Sequence, residues 1–143
     1  MVPTESTFVL DSRLRADTLP VGDLELCRIL LMNDARFPWL ILVPRKNGLR
    51  DLIDLNDVDQ AKLLAETNTC AHALRTLIKP AKLNIATLGN VVEQLHVHVI
   101  ARFADDAAWP RPVWGIGTPE VYAAHVAETR LSDMRHALRI SDE

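Results

Sequence analysis

The stretch Gln94-Leu95-His96-Val97-His98-Val99-Ile100 alternates polar and apolar residues, and that alternation decides how the rest of the chain is read. Side chains along a strand point to opposite faces in turn, so Gln94, His96 and His98 share one face while Leu95, Val97 and Val99 anchor the other. The two imidazoles then stand about 6.5 to 7 Å apart along the strand. A half-buried strand with a polar outer face accounts for such a pattern without any chemistry. Working outward, Lys82 to Leu88 reads as a strand joined to Gln94 to Arg102 by a tight connection around Gly89-Asn90, a pair suited to a hairpin turn. Upstream, Leu24 to Met32 and Trp39 to Val43 are apolar segments separated by Asn33-Asp34 and Pro38 and stopped by Pro44. They read as a hairpin in the centre of a sheet.

Between these two pairs, Arg45-Lys46-Asn47-Gly48 marks a loop, and Asn56 with Asp57 and Asp59 supplies the cap and first-turn acids of a long helix. Leu63, Leu64, Thr67, Ala71, Leu74 and Ile78 recur at three- and four-residue steps, which packs one helix face on the sheet until Pro80 ends it. Thr118-Pro119-Glu120 has the form of a helix start, with a terminal helix over about 118–139 and Tyr122, Val126 and Leu138 as its buried stripe. Strands, long helix, strands and terminal helix in that order give an α+β fold. The sheet is mainly antiparallel, because the strand connections are too short for repeated parallel crossovers.

The 143 residues carry 48% apolar and 24% charged side chains, an ordinary globular composition that argues for one domain over 1–143 and against disorder or a fibrous repeat. A net charge of -3 supplies no basic field for nucleic acid or an anionic membrane, so any bound phosphate must be held by local donors. Cys27 and Cys70 lie in apolar stretches with no paired motif and read as buried reduced thiols. No basic segment followed by a long apolar run opens the chain, and the run Phe37 to Val43 is far short of the roughly 20 residues of a membrane helix. The expectation is a cytoplasmic protein.

The run Leu83-Asn84 through Gly89-Asn90, Gln94, His96 and His98 to Arg102 resembles the signature of the histidine-triad superfamily, His-φ-His-φ-His-φ-φ with φ apolar. The resemblance extends from the hairpin around Asn33-Asp34 and Pro44 to Trp109-Pro110, about residues 20–115. It implies a histidine-triad-like sheet of about five strands. It further implies a purine nucleotide or nucleotide conjugate as partner, a homodimer, and neither cofactor nor metal. The middle histidine, His96, is then the nucleophile towards the α-phosphorus, since neutral imidazole is nucleophilic near pH 7 and its phosphoramidate is open to a second attack by water. His98 contacts the phosphate or leaving group and aids proton transfer. Asn84, Gly89 and Asn90 hold the phosphate through an amide and backbone N–H groups, and Asn33 or Asp34 bonds the ribose.

Two positions depart from the pattern. Gln94 replaces the first histidine, as in a bacterial branch of the family, and Trp39 stands where many members carry a further histidine. Glutamine orients a neighbouring ring but cannot titrate, so these departures favour a rival reading as a nucleotide-binding module without turnover. A second rival is a metal-dependent hydrolase using His96 and His98, with a third ligand from Asp105, Asp106 or His125. His72, His125 and His136 otherwise fall on expected helices, where solvated or capping roles suffice.

Overall fold

The computed structural model describes residues 7–141; the first six, read above for a leader pattern, lie outside the described residues. In chain order the elements are α1 (Ser12–Asp17), β1 (Thr18–Asp23), β2 (Cys27–Met32), β3 (Trp39–Pro44), α2 (Asp57–Ile78), β4 (Lys82–Ala86), β5 (Val97–Arg102) and α3 (Ala124–Leu138). The strands form one sheet in the order β1-β2-β3-β5-β4, antiparallel at every junction. The α+β architecture expected from the sequence is therefore present.

Each sheet face has its own cover. Ile29, Leu31, Leu40, Leu42, Val97 and Val99 meet Leu63, Cys70 and Leu74 of α2 and Met134 and Leu138 of α3. On the opposite face Leu30, Trp39, Ile41, Val43 and Ile100 are closed over by Leu10 and Leu14 from the chain start and by Ala108 and Val113 from the segment after β5. The helix α2 starts as expected: the Asn56 side chain accepts from Asp59 N at 2.8 Å, and Asp57 and Asp59 sit in the first turn. Both cysteines are free and buried.

Several boundaries differ from the sequence reading. An additional strand, β1, contains Pro20 and Gly22, residues that argue against a strand interior. It survives because it lies at the sheet edge and its register shifts between those two residues. A Cβ at Gly22 would collide with Ile140, so the close packing of the chain end requires glycine there. The stretch Cys27–Met32 pairs with β1 and β3 on its two sides, so it has no free edge for a second subunit. Leu64 is exposed rather than part of the buried helix stripe, as is Val126, while Met134 is fully buried.

The terminal helix begins at Ala124, not at Thr118. Residues 120–122 are held extended instead, since Ala35 N donates to Glu120 O at 2.6 Å and Tyr122 N donates to the Asn33 side chain at 2.9 Å. The connection from β4 to β5 is not a tight turn but a ten-residue loop from Thr87 to His96. Leu95 N donates to Leu49 O at 3.0 Å, drawing residues 94 to 96 away from the ladder, so the strand opens at Val97 and Gln94 and His96 precede it.

Candidate active site

His98 lies within β5 opposite Ile41 of β3 and Ala86 of β4, and His96 lies just before the strand. Both are buried, at 4% and 5% exposure, so the solvated outer face of a plain amphipathic strand does not describe them. Their ring centroids are 4.8 Å apart with planes at 71°. That is closer than two residues on a regular strand, because His96 has left the pleat.

Each ring has a partner that dictates where its proton sits. His96 Nδ1 is 2.6 Å from the backbone oxygen of Gln94, which can only accept. Nδ1 therefore carries the proton, and in the neutral ring the lone pair is on Nε2. For His98 the partner is the indole of Trp39, whose Nε1 donates to Nδ1 at 3.0 Å. Trp39 pairs with Ile100 across the ladder, which places it diagonally from His98 on the same face, within reach of a large side chain. Trp114 closes the cluster with its ring 5.0 Å from His98 and 5.9 Å from Trp39. Burial, helped by the neighbouring His96, lowers the pKa of His98 to about 3, so this ring is neutral across the physiological range.

The Gln94 side chain is engaged with the chain start rather than hydrogen-bonded to an imidazole. Its Nε2 donates to Val9 O at 2.9 Å and its Oε1 accepts from Asp11 N at 2.8 Å, fastening the extended segment before α1. Asn47 does the same one step earlier, donating to Thr7 O and accepting from Val9 N. The main chain of residue 94, rather than its side chain, touches His96.

Of the expected phosphate ligands, Gly89 and Asn90 lie in the loop that leaves the sheet beside His98 and returns at His96. Gly89 has φ +78°, the left-handed conformation that suits glycine. No backbone N–H of residues 89 to 94 donates to a described residue, so this loop presents unused donors at the histidine end of the sheet. Asn84 shares the histidine face, but it stands opposite Ile100, two ladder positions beyond the Ala86–His98 pair. Its Oδ1 accepts from Arg102 at 2.8 Å, leaving only the Nδ2 hydrogens to point elsewhere.

Arg102 was not singled out in the sequence, yet it is fully buried and joins the site's surroundings together. It forms a two-point ion pair with Asp106 at 2.8 and 3.0 Å and donates to Arg111 O. The guanidinium, followed by the N–H groups of Phe103, Ala108 and Trp109, holds the Asp106 carboxyl far below the usual range. The signal was present as Arg102 and Asp106 at a four-residue spacing after a strand, a pattern too common to read alone. With Asp106 so engaged, the described residues bring together no group of three His, Cys, Asp or Glu suited to a metal.

Asn33 and Asp34 follow β2 at the end of the sheet where β3 begins, whereas His96 precedes β5 at the other end. Asp34 is buried and held by Arg36 at 2.8 Å, with further bonds from Arg36 N and Glu120 N. Burial pushes its carboxyl up, but the guanidinium and the N–H groups outweigh that and leave it below the ordinary aspartate range. Asn33 Oδ1 accepts from Tyr122 N, and its Nδ2 donates to no described residue.

Comparison with known proteins places the chain in a family. The HIT domain model matches residues 13–105, and the chain belongs to that family. A crystal structure of a histidine triad protein from Bradyrhizobium japonicum is 47% identical, with a TM-score of 0.90 over 92% of this chain and 98% of that one. Another from Sinorhizobium meliloti is 45% identical, with a TM-score of 0.92 over 94% of this chain and 99% of that one. An AP-4-A phosphorylase from Mycobacterium tuberculosis is 34% identical over 74 residues, which are 48% of this chain; the match spans 37% of that curated relative's length. No helix among the described residues is long and apolar enough to cross a membrane.

Proposed function

We propose that the protein is a nucleotidyl hydrolase or transferase that cleaves nucleotide derivatives at the α-phosphate through a covalent nucleotidyl-His96 intermediate. The observation that carries this reading is the His96 Nδ1–Gln94 O contact of 2.6 Å, which leaves Nε2 as the nucleophilic nitrogen. In the first step Nε2 bonds to phosphorus, the bond to the leaving group breaks, and that group departs with the electron pair. In the second, water bonds to phosphorus and releases a proton to bulk solvent, where the departed leaving group takes one up, and the pair of the broken P–N bond returns to Nε2. The N–H groups around Gly89 and Asn90 bind the phosphoryl oxygens, with His98 Nε2–H as a further donor.

Asn84 Nδ2 serves the polyphosphate or leaving-group side, given its distance along the ladder from His98. Asn33 is the ribose contact, because the Asp34 oxygens are already engaged. Gln94 supports the site through its backbone and the segment it fastens. The preferred partner is a purine nucleotide conjugate, handled without cofactor or metal by a single cytoplasmic domain spanning the chain.

A homodimer fits the edges of the sheet. On β1, Arg135 of α3 donates to Val21 O at 2.7 Å and Pro20 O at 3.0 Å, blunting that edge. The outer edge of β4 is unpaired among the described strands; Ile85 is exposed in a shallow cavity with Leu52 and Leu64, and Leu88 is exposed in the loop after β4. Light scattering should return twice the chain mass at micromolar protein; a monomer mass removes the dimer.

The test of function is release of nucleoside monophosphate from phosphoramidates, acyl adenylates and dinucleoside polyphosphates in excess chelator. The wild-type protein should turn over at least one class and His96→Ala none. The rival reading of a module without turnover is favoured by Gln94 and Trp39, and binding of all three classes without release would support it. Activity lost in chelator and restored by zinc or manganese would support the metal reading.

A further inference from the structure

The indole of Trp39 and the ring of His98 form a buried donor–acceptor pair whose direction cannot be reversed. An indole N–H donates and never accepts, so the Nδ1 it meets must present a lone pair. A neutral imidazole has one protonated nitrogen, and in His98 that nitrogen is therefore Nε2. Taking up a second proton would place an N–H at Nδ1 against the indole N–H, in a site with 5% exposure at Trp39 and 4% at His98. The ring has little room to turn out of this contact, because Trp39, Trp114 and His96 pack around it with centroid distances of 5.6, 5.0 and 4.8 Å.

We infer that Trp39 is a positioning residue that locks His98 as a neutral Nε2–H hydrogen-bond donor, so that His98 holds a phosphoryl oxygen without ever exchanging a proton with the substrate. The lock itself is a property of the two side chains. Its consequence for the reaction rests on the proposed attack by His96. As negative charge builds on the phosphoryl oxygens, His98 offers a fixed N–H dipole that needs no reorganisation. It gives no proton to the leaving group, because surrendering the Nε2 proton would make an imidazolate, and it takes none from water, because Nδ1 is occupied.

The groups facing His98 leave the lock undisturbed by pH. From β3 it meets Trp39 and Ile41, from β4 Ala86, and from the later segment Trp114, none of which ionises in the working range. His96 is the ionisable neighbour that acts on it, and it adds to the burial that lowers the His98 pKa. Trp39 is thus a neighbour whose N–H donates at every pH.

The test is the ring-nitrogen spectrum of His98 in the full-length protein, by long-range proton–nitrogen NMR, which distinguishes protonated from unprotonated ring nitrogens. The wild-type protein should show Nε2–H and bare Nδ1 with no change between about pH 5 and 8. Trp39→Phe keeps an aromatic ring and removes the donor. Its His98 should become a mixture of the two tautomers, since burial remains but the bond that selects Nε2–H is gone. A wild-type His98 protonated on Nδ1, or one that titrates between pH 5 and 8, overturns the lock. So does a Trp39→Phe protein whose His98 keeps the wild-type tautomer. If Trp39→Phe does not fold, the wild-type spectrum alone decides. Because this readout needs no turnover, absence of nucleotidyl transfer would overturn the proposed function and leave the lock standing.

Discussion

The two faces of the sheet are closed by different physics. Beneath α2 and α3 the contacts are apolar and regular: Leu63, Cys70, Leu74, Met134 and Leu138 fill the grooves over Ile29, Leu31, Leu42 and Val99. Over His96 and His98 the cover is largely irregular chain, and polar bonds to the backbone hold it: Gln94 and Asn47 to residues 7–11 and Asp106 to residues 103–109. Burial of apolar surface is non-directional and stabilises the fold wherever volume is matched. Hydrogen bonds add less net stability but fix direction, and direction is what a site with two oriented imidazoles needs. Both faces are stabilised by apolar burial, and the histidine face, with Leu10, Leu14, Leu30, Ile41 and Val113 in its own cluster, adds the directed bonds.

The largest effect should come from cutting into the apolar face. Leu74 is fully buried, and Leu74→Ala should cost about 2–5 kcal/mol in urea unfolding through lost burial and the cavity left behind. The tautomer of His98 should be unchanged in the folded variant, since Trp39 lies on the other face. A Leu74→Ala protein with altered His98 ring nitrogens would show that the two faces are coupled after all.

Gln94→Ala attacks the opposite face and removes two hydrogen bonds to the segment before α1. A loss of about 1–2 kcal/mol is expected, with faster proteolysis near residues 7–11. Turnover should survive within several-fold, because the bond that orients His96 comes from the main chain of residue 94. Gln94→His should behave like Gln94→Ala rather than raise the rate. Loss of activity comparable to that of His96→Ala would show that the glutamine side chain takes part directly.

A third effect is one of pH. His98 has a folded-state pKa lowered to about 3, against about 6.5 in the unfolded chain. Between those values the unfolded state binds the extra proton, so stability is undiminished above about pH 6.5 and falls as pH drops towards 3. Asp34 and Asp106, held below the usual aspartate range, add their losses only at the acidic end of that window. Urea midpoints measured from pH 7 to pH 4.5 should therefore decline in the wild-type protein and decline less in His98→Gln. Equal slopes would contradict the burial of a neutral His98.

The apolar face was the more legible of the two in the sequence. The α2 helix shows itself by the Asn56 cap and by residues spaced three and four apart, and β2 and β3 by unbroken apolar runs, because burial acts on each residue locally. What escaped depends on partners distant in sequence. Pro20 and Gly22 disguise β1, whose place at an edge excuses both. Thr118-Pro119 imitates a helix start, yet Asp34 and Asn33, 86 and 89 residues away in the chain, draw the backbone of residues 120–122 into an extended path. His96 and His98 could be named from the motif alone. That Gln94 faces the chain start and that Trp39 faces His98 are matters of register and side-chain direction, which alternation does not encode.

The central claim is that His96 attacks phosphorus, and intact-mass measurement after rapid quenching with a nucleotide conjugate tests it most directly. The wild-type protein should gain one nucleotidyl group, acid-labile and mapped to His96 by peptide fragmentation, while His96→Ala gains none and still binds the nucleotide. An acid-labile adduct forming on His96→Ala at the wild-type rate would contradict the account.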